Sequence, residues 1–214
     1  MKLGVAIPCF YGHLNKLIEL LDSIECQTIL PSQVVVSCSS TNFEVYKSYS
    51  FPLQIITTKE NKNTAQNRNM AAIHLHEMDY ITFIDADDIM HPQCIEILLR
   101  VIDEYNSEII LHNYTDSEPM EPIETVEIYT DTLVQSNEGI THADGNESIL
   151  KIHRSQVTVK DTILEQVKFP EEECFISKED SVFCNLVFNL NVSHAYIANK
   201  LSFIKSGMDS YRTI

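Results

Sequence analysis

The sequence predicts an α/β fold with a mostly parallel central sheet and helices on both of its faces. Three observations carry that prediction. Short β-branched runs alternate with amphipathic helical stretches from the N-terminus onward, the order that builds a parallel sheet with crossover helices. The runs are apolar almost throughout, as strands covered on both faces are. Finally, the run Tyr80-Ile81-Thr82-Phe83-Ile84 stops at Asp85-Ala86-Asp87-Asp88. The carboxyl end of a strand is where α/β sheets bind their ligands.

Lys2–Pro8 reads as the first strand, closed by the loop Pro8-Cys9-Phe10-Tyr11-Gly12. Leu14, Leu17, Ile18, Leu21 and Ile24 recur at helical spacing, which predicts a helix over 14–27. After Pro31, Gln33–Cys38 is the second strand, followed by the polar loop Ser39-Ser40-Thr41-Asn42. Phe43–Tyr49 reads as weakly helical and Leu53–Thr58 as the third strand. Thr64 is placed to cap a helix over 65–77 that is rich in small and polar residues and carries Arg68. Beyond the acidic strand end, with Asp88 as a supporting carboxylate or helix cap, His91-Pro92 begins another helix with Ile95, Leu98, Leu99 and Ile102 on its inner face. Glu108–Leu111 is a further short strand.

Composition changes at Thr115. Residues 115–147 are acidic or polar and hold Pro119, Pro122, Gly139 and Gly145, which reads as a variable loop. Core patterning resumes at Ile149–His153, where His153 reads as a buried, hydrogen-bonded core histidine, the alternative being a histidine that faces the acceptor. Thr162–Val167 is helical, Phe169–Glu173 is a turn, and a helix over 179–190 turns Val182, Phe183, Leu186 and Val187 to one side. Ser193–Ala198 and Leu201–Lys205 read as strands. The reading is one domain: a half to about residue 114, then a second half from 115 to 214.

The chain has 214 residues and a formal net charge of −16. That field repels polyanions, so binding of DNA or RNA through phosphates is not expected. No apolar run is long enough to span a bilayer, and the N-terminus reads as a strand rather than a signal peptide. A cytoplasmic protein is expected. Six scattered cysteines without a C-x-x-C pair fit free thiols in a reducing compartment. Three carboxylates at a strand end need partners, because an unpaired buried carboxylate is costly. A hard divalent cation satisfies them and keeps positions open for phosphate oxygens.

Four strings, in this order, resemble family 2 glycosyltransferases of the GT-A type. They are Val5-Ala6-Ile7-Pro8-Cys9-Phe10; Leu21-Asp22-Ser23-Ile24-Glu25-Cys26-Gln27-Thr28 with Pro31; Asn63-Thr64-Ala65-Gln66-Asn67-Arg68-Asn69; and Phe83-Ile84-Asp85-Ala86-Asp87-Asp88. The resemblance implies the GT-A fold and metal-dependent transfer of a sugar from a nucleotide diphosphate donor, a UDP-sugar foremost, to a glycan or other hydroxyl acceptor. It implies donor contacts from Pro8, Phe10, Ser39, Ser40, Asn63, Arg68, Asp85, Ala86 and Asp87. Asp87, with Asp85, would hold Mn²⁺ or Mg²⁺. The segment Phe169–Ser181 resembles the acceptor side, where Asp180, with Glu179 as neighbour or second choice, would be the general base of an inverting displacement.

Two departures stand out. Relatives carry an acid after the second strand, whereas this chain has Ser37-Cys38-Ser39-Ser40-Thr41-Asn42, which leaves the base open. The tail Lys205–Arg212 has no histidine, so Lys205, Arg212 or His194 stands where relatives place charge near the diphosphate. The rival readings are a nucleotidyltransferase and a non-catalytic nucleotide-sugar-binding module. The first expects a Gly-rich basic loop after the first strand, where this chain has Pro8–His13.

Overall fold

The computed structural model describes residues 1–45, 47–117, 121–136, 139–142, 150–151, 156–176 and 178–205. Strand β1 (Leu3–Phe10) is buried along nearly its whole length and runs into a 3-10 turn, Tyr11–His13. Helix α1 (Leu14–Glu25) follows, burying Leu17, Leu20, Leu21 and Ile24 at helical spacing. Strands β2 (Gln33–Ser39) and β3 (Leu53–Thr58) come next. Among the described residues of 43–49 the expected helix does not form. In its place an irregular loop is tied to α1: Lys47 and Tyr49 bond Asp22, and Ser50 bonds Glu25.

Helix α2 (Thr64–Ile73) is capped by Asn63 rather than Thr64. Asn63 Oδ1 accepts from Gln66 N at 2.9 Å, and Gln66 Oε1 accepts from Asn63 N at 3.0 Å. This reciprocal box satisfies two otherwise orphaned amides. The helix ends short of Glu77, because the chain turns to lay Leu75 and Met78 over β1. A Cβ on Gly4 would lie 2.8 Å from Met78 Cγ, so only glycine admits that approach.

Strand β4 (Tyr80–Phe83) leads into the acidic segment, and β5 (Asp88–Met90) leaves it. Asp88 is therefore a buried strand residue, not a helix cap. Helix α3 (Cys94–Tyr105) begins after His91-Pro92 and is followed by β6 (Ile109–Thr115). The segment expected to be loop contains β7 (Ile128–Thr130), β8 (Leu133–Ser136) and β9 (Gly139–His142), with β10 (Leu150–Lys151) beyond. The sequence reading missed β11 (Val157–Lys160), which runs into the short helix α4 (Asp161–Leu164). A 3-10 turn at Glu173–Phe175 precedes α5 (Glu179–Phe188). The two expected C-terminal strands are one, β12 (His194–Ile204), with register shifts between Ile197 and Ser202. His153 and Arg212 lie outside the described residues.

The main sheet has the order β3-β2-β1-β4-β11-β6-β12-β5, with β7 on β12, while β8, β9 and β10 form a separate small sheet. Pairing is parallel from β3 to β4. Beyond β4 it becomes mixed, because β11 runs antiparallel to both β4 and β6, while β12 is parallel to β6. Helices α1 and α3 cover one face, and α2, α4 and α5 the other. Among the described residues, no helix is long and apolar enough to cross a membrane.

Candidate active site

Pro8, which has no N–H to give a neighbouring strand, lies past the last β1–β4 pair, Ala6–Phe83. Here a cavity of about 480 Å³ opens, within the size range of small-molecule sites. One wall is the end of β1 and its turn, including Phe10 and His13; a second is the loop into α2, from Asn61 to Asn67. Asp85, Ala86 and Asp87 form the third, and Pro170, Glu172, Ile176 and Glu179 face them from the C-terminal half.

Behind the walls lies Arg68, only 2% exposed. Its Nη2 donates to Asp85 Oδ1 at 2.7 Å, and its Nη1 lies 3.5 Å from Glu179 Oε1. Burial alone would favour loss of its proton, but the charges of Asp85, Asp180 and Glu179 outweigh that and hold it above its usual value. The guanidinium carbon sits 5.1 Å from the ring centroid of Phe169. Phe169 in turn stacks on Phe183 at 3.9 Å and meets Phe83 edge-on at 4.9 Å.

Asn69 clamps the backbone of Phe169 in both directions: Phe169 N donates to Asn69 Oδ1 at 3.0 Å, and Asn69 Nδ2 donates to Phe169 O at 2.9 Å. The same Nδ2 reaches Glu171 Oε1, and Asn63 Nδ2 donates to Glu171 O. The acceptor-side segment is thus registered on α2 by side-chain amides.

Burial raises the carboxyl of Glu179 above its ordinary value, with Arg68 opposing. Glu179 Oε2 is buried with no hydrogen-bond partner among the described residues. Asp180, the next residue, is half-buried and is not among the cavity walls; its Oδ1 accepts from Ser181 N at 2.7 Å. Asp87 is also held above the usual carboxylate range, first by burial and then by the charge of Asp85, with His13 opposing. Asp88 is pushed further up by burial and by both acids, although Gln156 Nε2 donates to its Oδ2 at 2.8 Å.

Of the residues expected in the site, Pro8, Phe10, Asn63, Asp85, Ala86, Asp87 and Glu179 line the cavity, and Arg68 braces it from behind. Ser39 and Ser40 do not line it. The hydroxyl of Ser39 is committed to Lys62 O and Asn67 Nδ2, in a buried lattice with Ser37, and Ser40 turns at φ 60°. Lys205 pairs with Glu19, and His194 Nε2 accepts from Leu133 N; neither lines the cavity. Sequence reasoning missed His13, whose Nε2 lies 3.8 Å from Asp87 Oδ2. Its signal was its position in the loop at the carboxyl end of β1.

No three His, Cys, Asp or Glu side chains among the described residues are grouped so as to hold a metal ion by themselves. Asp85 gives one oxygen to Arg68, while burial and the neighbouring Asp85 disfavour the charged form of Asp87 at the cavity wall, which a cation would favour. Such a donor set fits a hard cation that takes one or two carboxylates and completes its shell with phosphate oxygens and water.

A model of the family described as glycosyl transferase family 2 matches residues 5–127, more than half of the chain. An uncharacterized glycosyltransferase of Haemophilus influenzae is 30% identical over 145 residues, covering 63% of this chain and 49% of the relative. The poly(ribitol-phosphate) beta-N-acetylglucosaminyltransferase TarP of Staphylococcus aureus is 26% identical over 120 residues, covering 53% of this chain and 36% of TarP. The chain thus spans about half the length of the first relative and less of the second. Crystal structures of S. aureus TarS 1–349 superpose with TM-scores of 0.70 in complex with UDP and 0.73 in complex with UDP-GlcNAc. Identity there is 19% and 18%; the match covers 95% and 99% of this chain and 60% of TarS in both cases. A mannosyltransferase from Pyrobaculum calidifontis in complex with GDP-Man and Mn²⁺ gives a TM-score of 0.67 at 14% identity, covering 98% of this chain and 58% of that one. The fold is that of GT-A glycosyltransferases.

Proposed function

The chain belongs to glycosyl transferase family 2, and on that premise we propose that it transfers a sugar, with inversion, from a UDP-sugar to a hydroxyl acceptor. The observation that carries the reading is the buried Arg68, which ties Asp85 of the donor wall to Glu179 of the opposite wall. A pocket that only stored a nucleotide would have no need of the Glu179 carboxylate on its far side. The UDP-bearing TarS neighbours favour uridine; the acid-free loop after β2 leaves the base to be tested.

Phe10 and Pro8 flank the nucleobase end of the cavity, and the donor diphosphate lies toward Asp87. Mn²⁺ or Mg²⁺, held by Asp87 with Asp85, would supply Lewis-acid stabilisation of the departing diphosphate. Arg68 holds Asp85 and Glu179 in place with a charge that no working pH removes. The acceptor hydroxyl gives its proton to Asp180 as its oxygen bonds to the anomeric carbon and the bond to the diphosphate breaks. The Ser181 amide pins Asp180 Oδ1, which leaves Oδ2 to take that proton. Glu179 lines the cavity and its buried Oε2 has no hydrogen-bond partner among the described residues, which suits it to accept from a sugar hydroxyl.

The test is a panel of nucleotide sugars with and without Mn²⁺, following binding and turnover in the native chain, Asp87→Ala and Asp180→Ala. Metal-dependent turnover of one donor, lost in both variants, with binding retained in Asp180→Ala, is the expected result. Binding without turnover under any condition would favour the non-catalytic module. Absence of binding to every nucleotide sugar would remove the reading altogether.

A further inference from the structure

Two side chains on different walls of the cavity, one from the turn after β1 and one from the acidic segment, lie close together. His13 Nε2 lies 3.8 Å from Asp87 Oδ2. That is too long for a hydrogen bond. Two metal–ligand bonds of about 2.1 Å together reach about 4.2 Å. A cation between them can therefore reach both atoms at once, at an angle of about 130° that a small approach of the two side chains would tighten. We propose that His13 is a nitrogen ligand of the divalent cation at Asp87, so that the site takes Mn²⁺ in preference to Mg²⁺. This rests on the reading of Asp87 as the carboxylate that holds the cation.

The placement of the imidazole is built into the fold. His13 closes the 3-10 turn that follows β1, and its ring meets that of Phe10 at 4.3 Å and 61°. Its side chain is 15% exposed and that of Asp87 26%, so both face the cavity rather than open solvent. On the other side, Asp85 spends one oxygen on Arg68 at 2.7 Å. The cation then has Asp87, His13 and the donor's phosphate oxygens. The C-terminal tail need not supply a ligand. A mixed nitrogen and oxygen shell separates the two candidate ions: Mg²⁺ demands oxygen and gives up water reluctantly, whereas a first-row transition ion accepts imidazole.

The experiment is a titration of the native chain with Mn²⁺ in the presence of UDP, following loss of the free Mn²⁺ resonance, with pulsed electron paramagnetic resonance on the bound ion. Mg²⁺ affinity is read by competition. The native chain is expected to show nitrogen coupling from one imidazole. His13→Ala is expected to lose that coupling and at least about tenfold in Mn²⁺ affinity, while its Mg²⁺ affinity moves by less than about twofold. Asp87→Ala is expected to lose both ions. Circular dichroism of each variant guards against loss of the fold. Bound Mn²⁺ without nitrogen coupling, or equal weakening of both ions in His13→Ala, would overturn the role of His13 and leave the transferase reading intact. Failure of the native chain to bind either ion beside UDP would overturn both.

Discussion

Arg68 reaches Asp85 at 2.7 Å on one side and Glu179 at 3.5 Å on the other, partners 17 and 111 residues away along the chain. The guanidinium is buried and the Glu179 side chain is only 12% exposed, while that of Asp85 is 30% exposed. Arg68→Met is expected to leave two carboxylates without their counter-charge at a cost of about 3–5 kcal/mol. Urea unfolding measures this. Arg68→Lys should restore only part of the loss, since an ammonium cannot fork to both acids. Unchanged stability in Arg68→Met would mean that the pair contributes nothing.

Glu179 gives a stability change with a defined sign. Burial holds its folded-state carboxyl above the ordinary value of 4.5. Between the unfolded and folded values the native state binds more protons than the unfolded chain. Its contribution to stability therefore falls as pH rises through that window and is flat beyond it. Asp87 and Asp88, raised by the same cause, act in the same direction. Asp22 acts oppositely and lower, since its bonds to Lys47 and Tyr49 hold it below 3.8 and their benefit is lost as pH falls. Glu179→Gln should therefore lessen the fall in Tm between pH 4.5 and 8, measured in chelator, while losing activity. A slope as steep as that of the native chain would contradict the assignment.

Asn69→Ala removes both halves of the clamp on Phe169. Leaving a buried amide and carbonyl unpaired should cost about 2–3 kcal/mol in all. The more specific readout is hydrogen exchange. The Phe169 amide should exchange faster while amides of β1 and β2 keep their protection, and equal protection of Phe169 in both proteins would refute the clamp.

Gly4→Ala places a methyl 2.8 Å from Met78 Cγ and 2.9 Å from Leu75 Cδ2. The overpacking should cost about 1–3 kcal/mol. Because the nearest obstacle is side chain rather than backbone, Met78→Ala in the same chain should recover part of it. A double-mutant cycle with no coupling between the two positions would show that they do not touch.

The strand-end acids and the amphipathic helices were legible because each is local. Asp85 and Asp87 follow an apolar run, and Leu17, Leu21 and Ile24 repeat at helical spacing. Arg68 was legible as a donor-side cation, but its burial was not, because the acid that shares it, Glu179, is supplied by a distant helix. Ser39 reads as a free hydroxyl in the sequence, yet Asn67 and Lys62 occupy it in the fold. β11 was missed for the opposite reason. Val157–Lys160 is four residues long, and it is a strand because β4 and β6 lie on either side of it. Asp180 stands beside the cavity while Glu179 faces into it, a distinction between adjacent residues that depends on how α5 is docked.

The position of β11 also bears on the order in which the chain can take shape as it leaves the ribosome. β4 emerges with β1 as its neighbour, and β6 emerges soon after, but the strand that joins them is not made until residue 160. β12 comes later still. For that interval Ile81 and Phe83 on one strand and Ile109 and Leu111 on the other, all destined for the same core, border an open gap in the sheet. An open strand edge beside apolar side chains invites pairing with other chains. The nascent protein is therefore most exposed to misassembly, and most in need of a chaperone, between completion of β6 and the arrival of β11.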